Sequence, residues 1–324
     1  MAALAGVSIG TVSKALNGRG ALRPETRQRV RRAAEQLGFV ASAAARNPRA
    51  GRTYTAGLIF TDGLGRSAVP LLRGAEDTLG AAGVPVFLCD ARDDPAREQQ
   101  HVRTLLDRGA DGIIVTGSRI RARAPIGGDL PVPVVYALLG SADPRDCSVV
   151  PDEADGARRA IRHLVTGGRR RIAHITGPDH HHSAVVRAAA ATGAVTAEGL
   201  RWATPTLYGH WSEAWGRQAA GILLATGADV DAVLCGNDQI ARGVAETLRE
   251  AGRAVPGDVA LVGFGNWDAA VEACRPALTS VDLDLEGIGR TAAELLLAAM
   301  DGKPVAGRHV RPSRLVPRAS TAPA

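Results

Sequence analysis

The sequence predicts an α/β protein: a two-lobed body of parallel sheets flanked by helices, preceded by a small all-α helix-turn-helix unit. Three observations carry this. From Thr55 onward, short β-rich runs alternate with helical ones, the pattern of parallel sheets covered on both faces. The alternation runs through two successive series, one for each lobe. The first 53 residues break from it, with no apolar β-run and a strong positive charge.

That charge is local. Residues 1–53 hold ten Lys and Arg against Glu25 and Glu35, a net +8, while the whole chain carries +6 and the remainder therefore −2. A basic head on a slightly acidic body points to a polyanion at one end of the molecule; a solvated helical surface is the plainer alternative. With 45% hydrophobic and 22% charged residues in 324, global disorder is excluded and a small module beside a large one is expected. No run of 18 apolar residues and no signal-peptide pattern is present, so a cytoplasmic protein without membrane association is expected. Cys89, Cys147, Cys235 and Cys274 lie far apart without a C-x-x-C pair, which favours free thiols over metal ligands or disulfides.

Within the head, Ser8-Ile-Gly-Thr-Val-Ser-Lys-Ala-Leu-Asn-Gly18 reads as a short helix capped by Ser8, with Val12, Ala15 and Leu16 on its apolar side. Ala5-Gly6-Val7 allows a sharp turn before it. A third helix runs from Pro24 to Leu37, with Val30, Ala33, Ala34 and Leu37 repeating on one side. Three short helices with an exposed polar middle one form a unit whose second helix fits the DNA major groove. Ile9, Gly10 and Lys14 are expected to face base edges, with Ser8 at the helix start; Thr11, Ser13 and Asn17 are expected on phosphates. From Ser42 the chain reads either as one or two helical turns that order on DNA, through Arg46 and Pro48, or as a flexible linker.

In the body, strands are expected at Gly57–Phe60, Val84–Leu88, Gly112–Val115, Val132–Tyr136 and around Val149. The second series is expected at Arg171–Thr176, Pro205–Leu207, Val233–Gly236, Val259–Phe264 and Leu278–Val281, with helices between and a last one at Leu285–Met300. Ligands of open α/β sheets collect at the carboxyl ends of strands. There the sequence offers Thr61-Asp62, Thr116-Gly-Ser118, Thr176-Gly-Pro178, Gly236-Asn-Asp238 and Gly265-Asn-Trp267. Hydroxyls, amides and an indole suit a polar, sugar-like ligand, with Trp211 and Trp267 as stacking surfaces or as ordinary packing. Two motifs point elsewhere. Gly63-Leu-Gly65-Arg-Ser-Ala68 matches a dinucleotide-binding glycine pattern, with Asp90 after the next strand, but no catalytic group completes an enzyme site. His180, His181 and His182 lack partner spacing for a metal. Neither a cofactor nor an enzyme activity is expected.

The chain resembles the lactose-repressor and galactose-repressor family of bacterial transcription regulators. The resemblance rests on Ala5-Gly-Val-Ser-Ile-Gly-Thr-Val-Ser-Lys-Ala-Leu-Asn17, Gly168-Arg-Arg-Arg-Ile-Ala-His-Ile175, Asn237-Asp-Gln-Ile-Ala-Arg-Gly243, Val255-Pro-Gly-Asp-Val-Ala-Leu-Val-Gly-Phe264 and Pro276-Ala-Leu-Thr-Ser-Val281, in chain order. It implies a periplasmic-binding-protein-like sensor and a cytoplasmic homodimer on near-palindromic operator DNA, controlled by a sugar- or nucleoside-class effector. It places the effector near Asp62, Arg187, Trp211 and Asn237. The implied divisions are a head at 1–40, a hinge at 41–53, a first lobe at 54–152 and 281–311, and a second at 153–280 and 312–324.

Four departures from the family pattern matter. The residues before Ala5 are fewer than the family's, so either the start lies upstream or the head is destabilised. Pro48 stands where members place a leucine wedge, apolar but helix-breaking. Gly265 replaces a cleft aspartate, with Asn266 as a partial substitute. Gly10 offers no side chain to a base. The rival reading is a sugar-binding module whose shortened head no longer grips DNA.

Overall fold

The computed structural model describes residues 1–16, 20, 22–38 and 53–322. Asn17, Arg46, Pro48 and the expected hinge helix from Ser42 lie outside the described residues. In the head, α1 (Ala2–Ala5) is a single turn, and Gly6 ends it at φ +59°, a left-handed cap that glycine adopts without strain. It is followed by α2 (Ile9–Leu16) and α3 (Pro24–Gln36). Ser8 caps α2, its Oγ accepting the Thr11 N–H at 3.1 Å. Ala5, Ala15, Val30 and Ala33 form the buried core, with Val7, Val12, Leu16 and Leu22 packed against it. Leu37 departs from the expected apolar face. It is the C-cap of α3, past the last full turn, and stands 55% exposed.

The body contains two six-stranded sheets. The first is built from β1 (Ala56–Phe60), β2 (Val86–Asp90), β3 (Gly112–Thr116), β5 (Val134–Ala137), β7 (Cys147–Pro151) and β13 (Gly307–Arg311), in the order β13-β7-β5-β3-β1-β2. Every pairing in it is parallel. A two-residue pair, β4 (Ala122–Arg123) and β6 (Gly140–Ser141), lies apart. Helices α4 (Ala68–Ala81), α5 (Pro95–Asp107) and α11 (Leu285–Met300) cover this lobe. Leu71, Ala75, Ile288, Ala292 and Leu296 pack with β1 and β5 into one core layer.

The second sheet takes β8 (Ile172–Thr176), β9 (Leu207–Tyr208), β10 (Ala232–Cys235), β11 (Ala260–Phe264), β12 (Thr279–Asp282) and β14 (Arg314–Val316), ordered β14-β12-β11-β10-β8-β9. It is covered by α6 (Glu153–Thr166), α7 (His182–Ala197), α8 (Glu213–Ala225) and α9 (Asp238–Glu250), with the one-turn α10 (Asp268–Val271) beside it. Only β14 is antiparallel here, pairing Val281 with Leu315 and Asp282 with Arg314. A division between residues 280 and 281 therefore cuts a strand. Val281 and Asp282 belong to the second sheet, and the chain returns to the first lobe with α11. Three crossings join the lobes, after β7, after β12 and between β13 and β14. All four cysteines are free; three are buried and Cys89 is half-buried. Among the described residues no helix is long and apolar enough to cross a membrane.

His174 lies in the middle of β8 and is buried. Its ring stacks on Trp202 at 5.3 Å, and its Nδ1 lies 3.3 Å from Thr206 Oγ1, while Nε2 has no partner. Burial holds its pKa down to about 4 from an ordinary 6.5. The unfolded chain therefore takes up this proton at a higher pH than the folded protein does. The stabilisation is complete above 6.5 and is lost as pH falls towards 4, about 3 kcal/mol in all. Urea unfolding at pH 7.5 and pH 4.5 should show a smaller pH-driven loss in His174→Phe than in the parent protein. Equal losses would show that this ring does not set the acid sensitivity.

Candidate functional site

A cavity of about 1360 Å³ opens between the lobes at the carboxyl ends of both sheets. Arg187, near the start of α7, forms part of its second-lobe wall. The guanidinium is buried and lies 3.9 Å from the centre of the Phe264 ring at the end of β11. Its Nε donates to Glu153 Oε1 at 2.8 Å, Nη2 lies 2.7 Å from the same oxygen, and Nη1 donates to the Gly236 carbonyl at 2.5 Å. Five N–H donors are available to a guanidinium. Three are engaged, and one on each Nη has no partner among the described residues.

Trp211 stands beside Arg187, 5.8 Å from its guanidinium carbon, and donates its Nε1–H to His181 Nδ1 at 2.8 Å. A methyl group on Gly177 would overlap the indole, so the turn after β8 is closed by the tryptophan face. Burial lowers the His181 pKa, and His180 and Arg119 add to the effect. The ring stays neutral and able to accept that bond at neutral pH.

Asp62 and Asn237 take different places from Arg187 and Trp211. Both oxygens of Asp62 hold Ser118, one accepting its N–H and the other its hydroxyl, each at 2.7 Å. Ser118 lines the cavity; Asp62 supports it from behind. Asn237 caps α9, its Oδ1 accepting the Ile240 N–H at 2.8 Å, while its buried Nδ2 has no partner. Its neighbour Asp238 is buried too, accepting from Ser280 Oγ at 2.5 Å and from the Trp267 N–H at 2.8 Å. Burial raises the Asp238 pKa against the pull of those bonds and of Arg66 and Arg187.

Gly265, at φ +118°, sits where a side chain would be strained. Asn266 does not replace a carboxylate there. Its Oδ1 accepts from Arg318 at 2.8 Å and its Nδ2 faces Asp282 at 3.4 Å.

In the head, Ser8, Ile9, Gly10, Ser13 and Lys14 are exposed, and Ile9 is 80% exposed. Among the described residues it is the most exposed of the large hydrophobic side chains. Positions 9, 10, 13 and 14 share one side of α2, opposite buried Ala15. Thr11 is half-buried, and its hydroxyl shares a 2.9 Å bond with Ser8 Oγ, so it supports the cap. Arg29, Arg31 and Arg32 are exposed along α3.

Residues 161–321 match the periplasmic binding protein-like domain, and residues 1–42 match the bacterial regulatory proteins of the lacI family. The HTH-type transcriptional regulator CelR of Thermobifida fusca is 33% identical over 98% of this chain and 94% of its own length. The chain belongs to the lacI family. It is a DNA-binding transcriptional regulator with a ligand-binding body, and the enzyme reading of the glycine-rich loop falls away.

Catabolite control protein A of Priestia megaterium is 30% identical over 98% of this chain and 96% of its own. Among solved structures, the lac repressor dimer bound to operator and the anti-inducer ONPF aligns at a TM-score of 0.82. Its identity is 25%, over 99% of this chain and 97% of that one. A CelR–cellobiose complex aligns at 0.68 and 30% identity, over 98% of each chain.

Sequence reasoning missed Glu153 and Phe264 as the supports of Arg187, and Gln239 and Arg66 as cleft residues. Phe264 had a signal, since it ends an apolar strand. Glu153 had none, because its contact spans 34 positions along the chain.

Proposed function

We propose that this lacI-family protein is a repressor that binds near-palindromic operator DNA as a homodimer and is controlled by a sugar- or nucleoside-class effector in the interlobe cleft. The observation that carries the effector reading is the wall made by Arg187, Phe264 and Trp211: two free N–H donors beside two aromatic faces, at the carboxyl ends of the strands. Asp62 and Asn237 act here as supports of that wall. For the dimer, the edge strand β2 leaves Phe87 and Leu88 48% and 42% exposed, an apolar edge of the kind a second copy covers. Two heads on one dimer gain from high effective concentration on paired half-sites, so a small lobe rotation changes affinity greatly.

In the head, Ile9 and Lys14 read base edges beside Gly10, Ser8 and Thr11 fix the start of the reading helix, and Ser13 and Asn17 hold phosphates. Arg46 and Pro48 form the hinge contact. Lys14→Ala should relax the preference among operator sequences by about 1–3 kcal/mol at one position. Arg31→Gln should weaken all sequences alike and reduce the salt slope by about 0.9. Fluorescence anisotropy over a salt series, with and without cellobiose, reads all of this. Equal weakening of every sequence by Lys14→Ala would defeat the base-reading assignment. Operator binding that no bound ligand alters would defeat the sensor.

A further inference from the structure

We infer that the cleft takes a sugar-sized ligand carrying an anionic group, a phosphate or a carboxylate, and that Arg66 anchors it. This rests on reading the cleft as the effector site and narrows the class of ligand.

Seven arginines line the cavity against four carboxylates. Arg187, Arg290 and Arg314 are paired with Glu153, Glu286 and Asp282, and Arg119 with Asp93. Arg66, Arg73 and Arg121 are different. Among the described residues none of the three has a carboxylate at ion-pair distance, and all are open to the cleft solvent. Asp268 is the cleft carboxylate in the same condition, since Asp284 is held by Arg311 at 2.6 Å. Unpaired charge in the cleft is therefore mostly positive.

Arg66 is the best placed of the three. From the loop after β1, its Nη1 crosses the cleft to the neutral Gln239 Oε1 at 2.8 Å. Surrounding protein lowers its pKa most, and nearby Arg187 lowers it further, against the pull of Asp238. A guanidinium so placed feels Asp238 but has no carboxylate at ion-pair distance among the described residues, and an incoming anion supplies the counter-charge. The loop that carries it is Gly63-Leu64-Gly65-Arg66-Ser67, the glycine-rich stretch that resembled a dinucleotide motif. It leads into α4, whose first turn has no acidic residue and whose N-cap Ser67 makes no capping bond. The positive end of that helix adds to the arginine.

Acceptors point the same way. Carboxylates are the strongest acceptors for the hydroxyls of a neutral sugar, and residue 265 is glycine. Asp282 and Glu286 are already occupied by Arg314 and Arg290. Among the described residues the cleft holds more unpaired cationic donors than unpaired carboxylates, the balance that suits an oxyanion.

Calorimetry on the full chain with the matched pairs glucose and glucose 6-phosphate, and glucose and gluconate, tests this. At least one anionic member should bind ten-fold or more tighter than glucose, and the preference should weaken with salt. The two pairs separate a phosphate from a carboxylate. Arg66→Gln should shrink the ratio to within three-fold, with Arg66→Lys intermediate; Arg121→Gln repeats the test at a second unpaired arginine. Glucose binding as tightly as both anions, no binding by either anion, or a ratio unchanged in Arg66→Gln with an unaltered melting temperature would each overturn the inference. The sensor reading fails separately, when a ligand that binds leaves operator anisotropy unchanged.

Discussion

Replacing Arg187 with methionine should destabilise the second lobe by about 3–5 kcal/mol, because it strands a buried glutamate without its counter-charge. Both partners are enclosed, with side-chain exposures of 8% and 3%, so water cannot replace the lost bonds. The Gly236 carbonyl loses its donor as well. Phe264 loses the cation at 3.9 Å from its ring centre. For a lobe of this size the melting temperature should fall by about 10 °C. The double variant Glu153→Leu with Arg187→Met removes the stranded charge and should recover more than half of the loss, since an apolar pair often substitutes for a buried ion pair. Urea unfolding of the two variants decides it. If the double variant were as unstable as the single one, packing of the guanidinium on Phe264, not its charge, would be what holds α6, α7 and β11 together. Ligand binding should be lost in both variants, because the two free N–H donors leave with Arg187.

The parallel sheets were legible because their strands are apolar on both faces: all five residues of β1, β3, β7, β8 and β11 are buried. Within the two six-stranded sheets, the strands that escaped notice are β13 and β14, Gly-Arg-His-Val-Arg and Arg-Leu-Val. They are edge strands, half-buried to exposed along their length, and they have no hydrophobic run to announce them. Their positions also explain the misplaced lobe boundary, since β12 extends to Asp282 to meet β14. At the site, Arg187 and Trp211 could be found from their place after strand ends and from family motifs. Their chemistry could not. Whether Arg187 is free or paired depends on Glu153, and whether Arg66 has a counter-charge depends on residues far along the chain, including Gln239 173 positions away. Asp62 and Asn237 show the same limit from the other side. A polar residue at a strand end is equally suited to lining a cavity and to fixing the loop that lines it, and only the position of its partners separates the two.

The same chemical change, glycine to alanine in the middle of a helix, should have opposite signs at Gly74 and Gly221. Gly74 lies in α4 against α11. A methyl group there would fall inside the van der Waals envelope of the Glu286 carbonyl oxygen, and Gly289 on α11 meets the Leu71 carbonyl of α4 in the same way. The obstructing atoms are backbone, so no side-chain rotation relieves the overlap and the two helices must separate. Overpacking of this kind costs about 1–3 kcal/mol, and sometimes more. The cost also reaches the cleft. The loop before α4 carries Arg66, and α11 begins with Leu285 and Glu286 on the cavity wall, so spreading the helices shifts one whole side of the site. Gly74→Ala should therefore weaken ligand binding while lowering the melting temperature of the first lobe. Gly221, in α8, is exposed, and an added methyl group meets nothing within 4 Å. There alanine only removes conformational freedom from the unfolded chain and should stabilise by about 0.5–1 kcal/mol. Thermal unfolding of both variants, with a ligand titration on each, measures the contrast. Tolerance of alanine at Gly74 would mean that α4 and α11 slide easily past each other, and that the first-lobe wall of the cleft is set by its loops instead of by this helix pair.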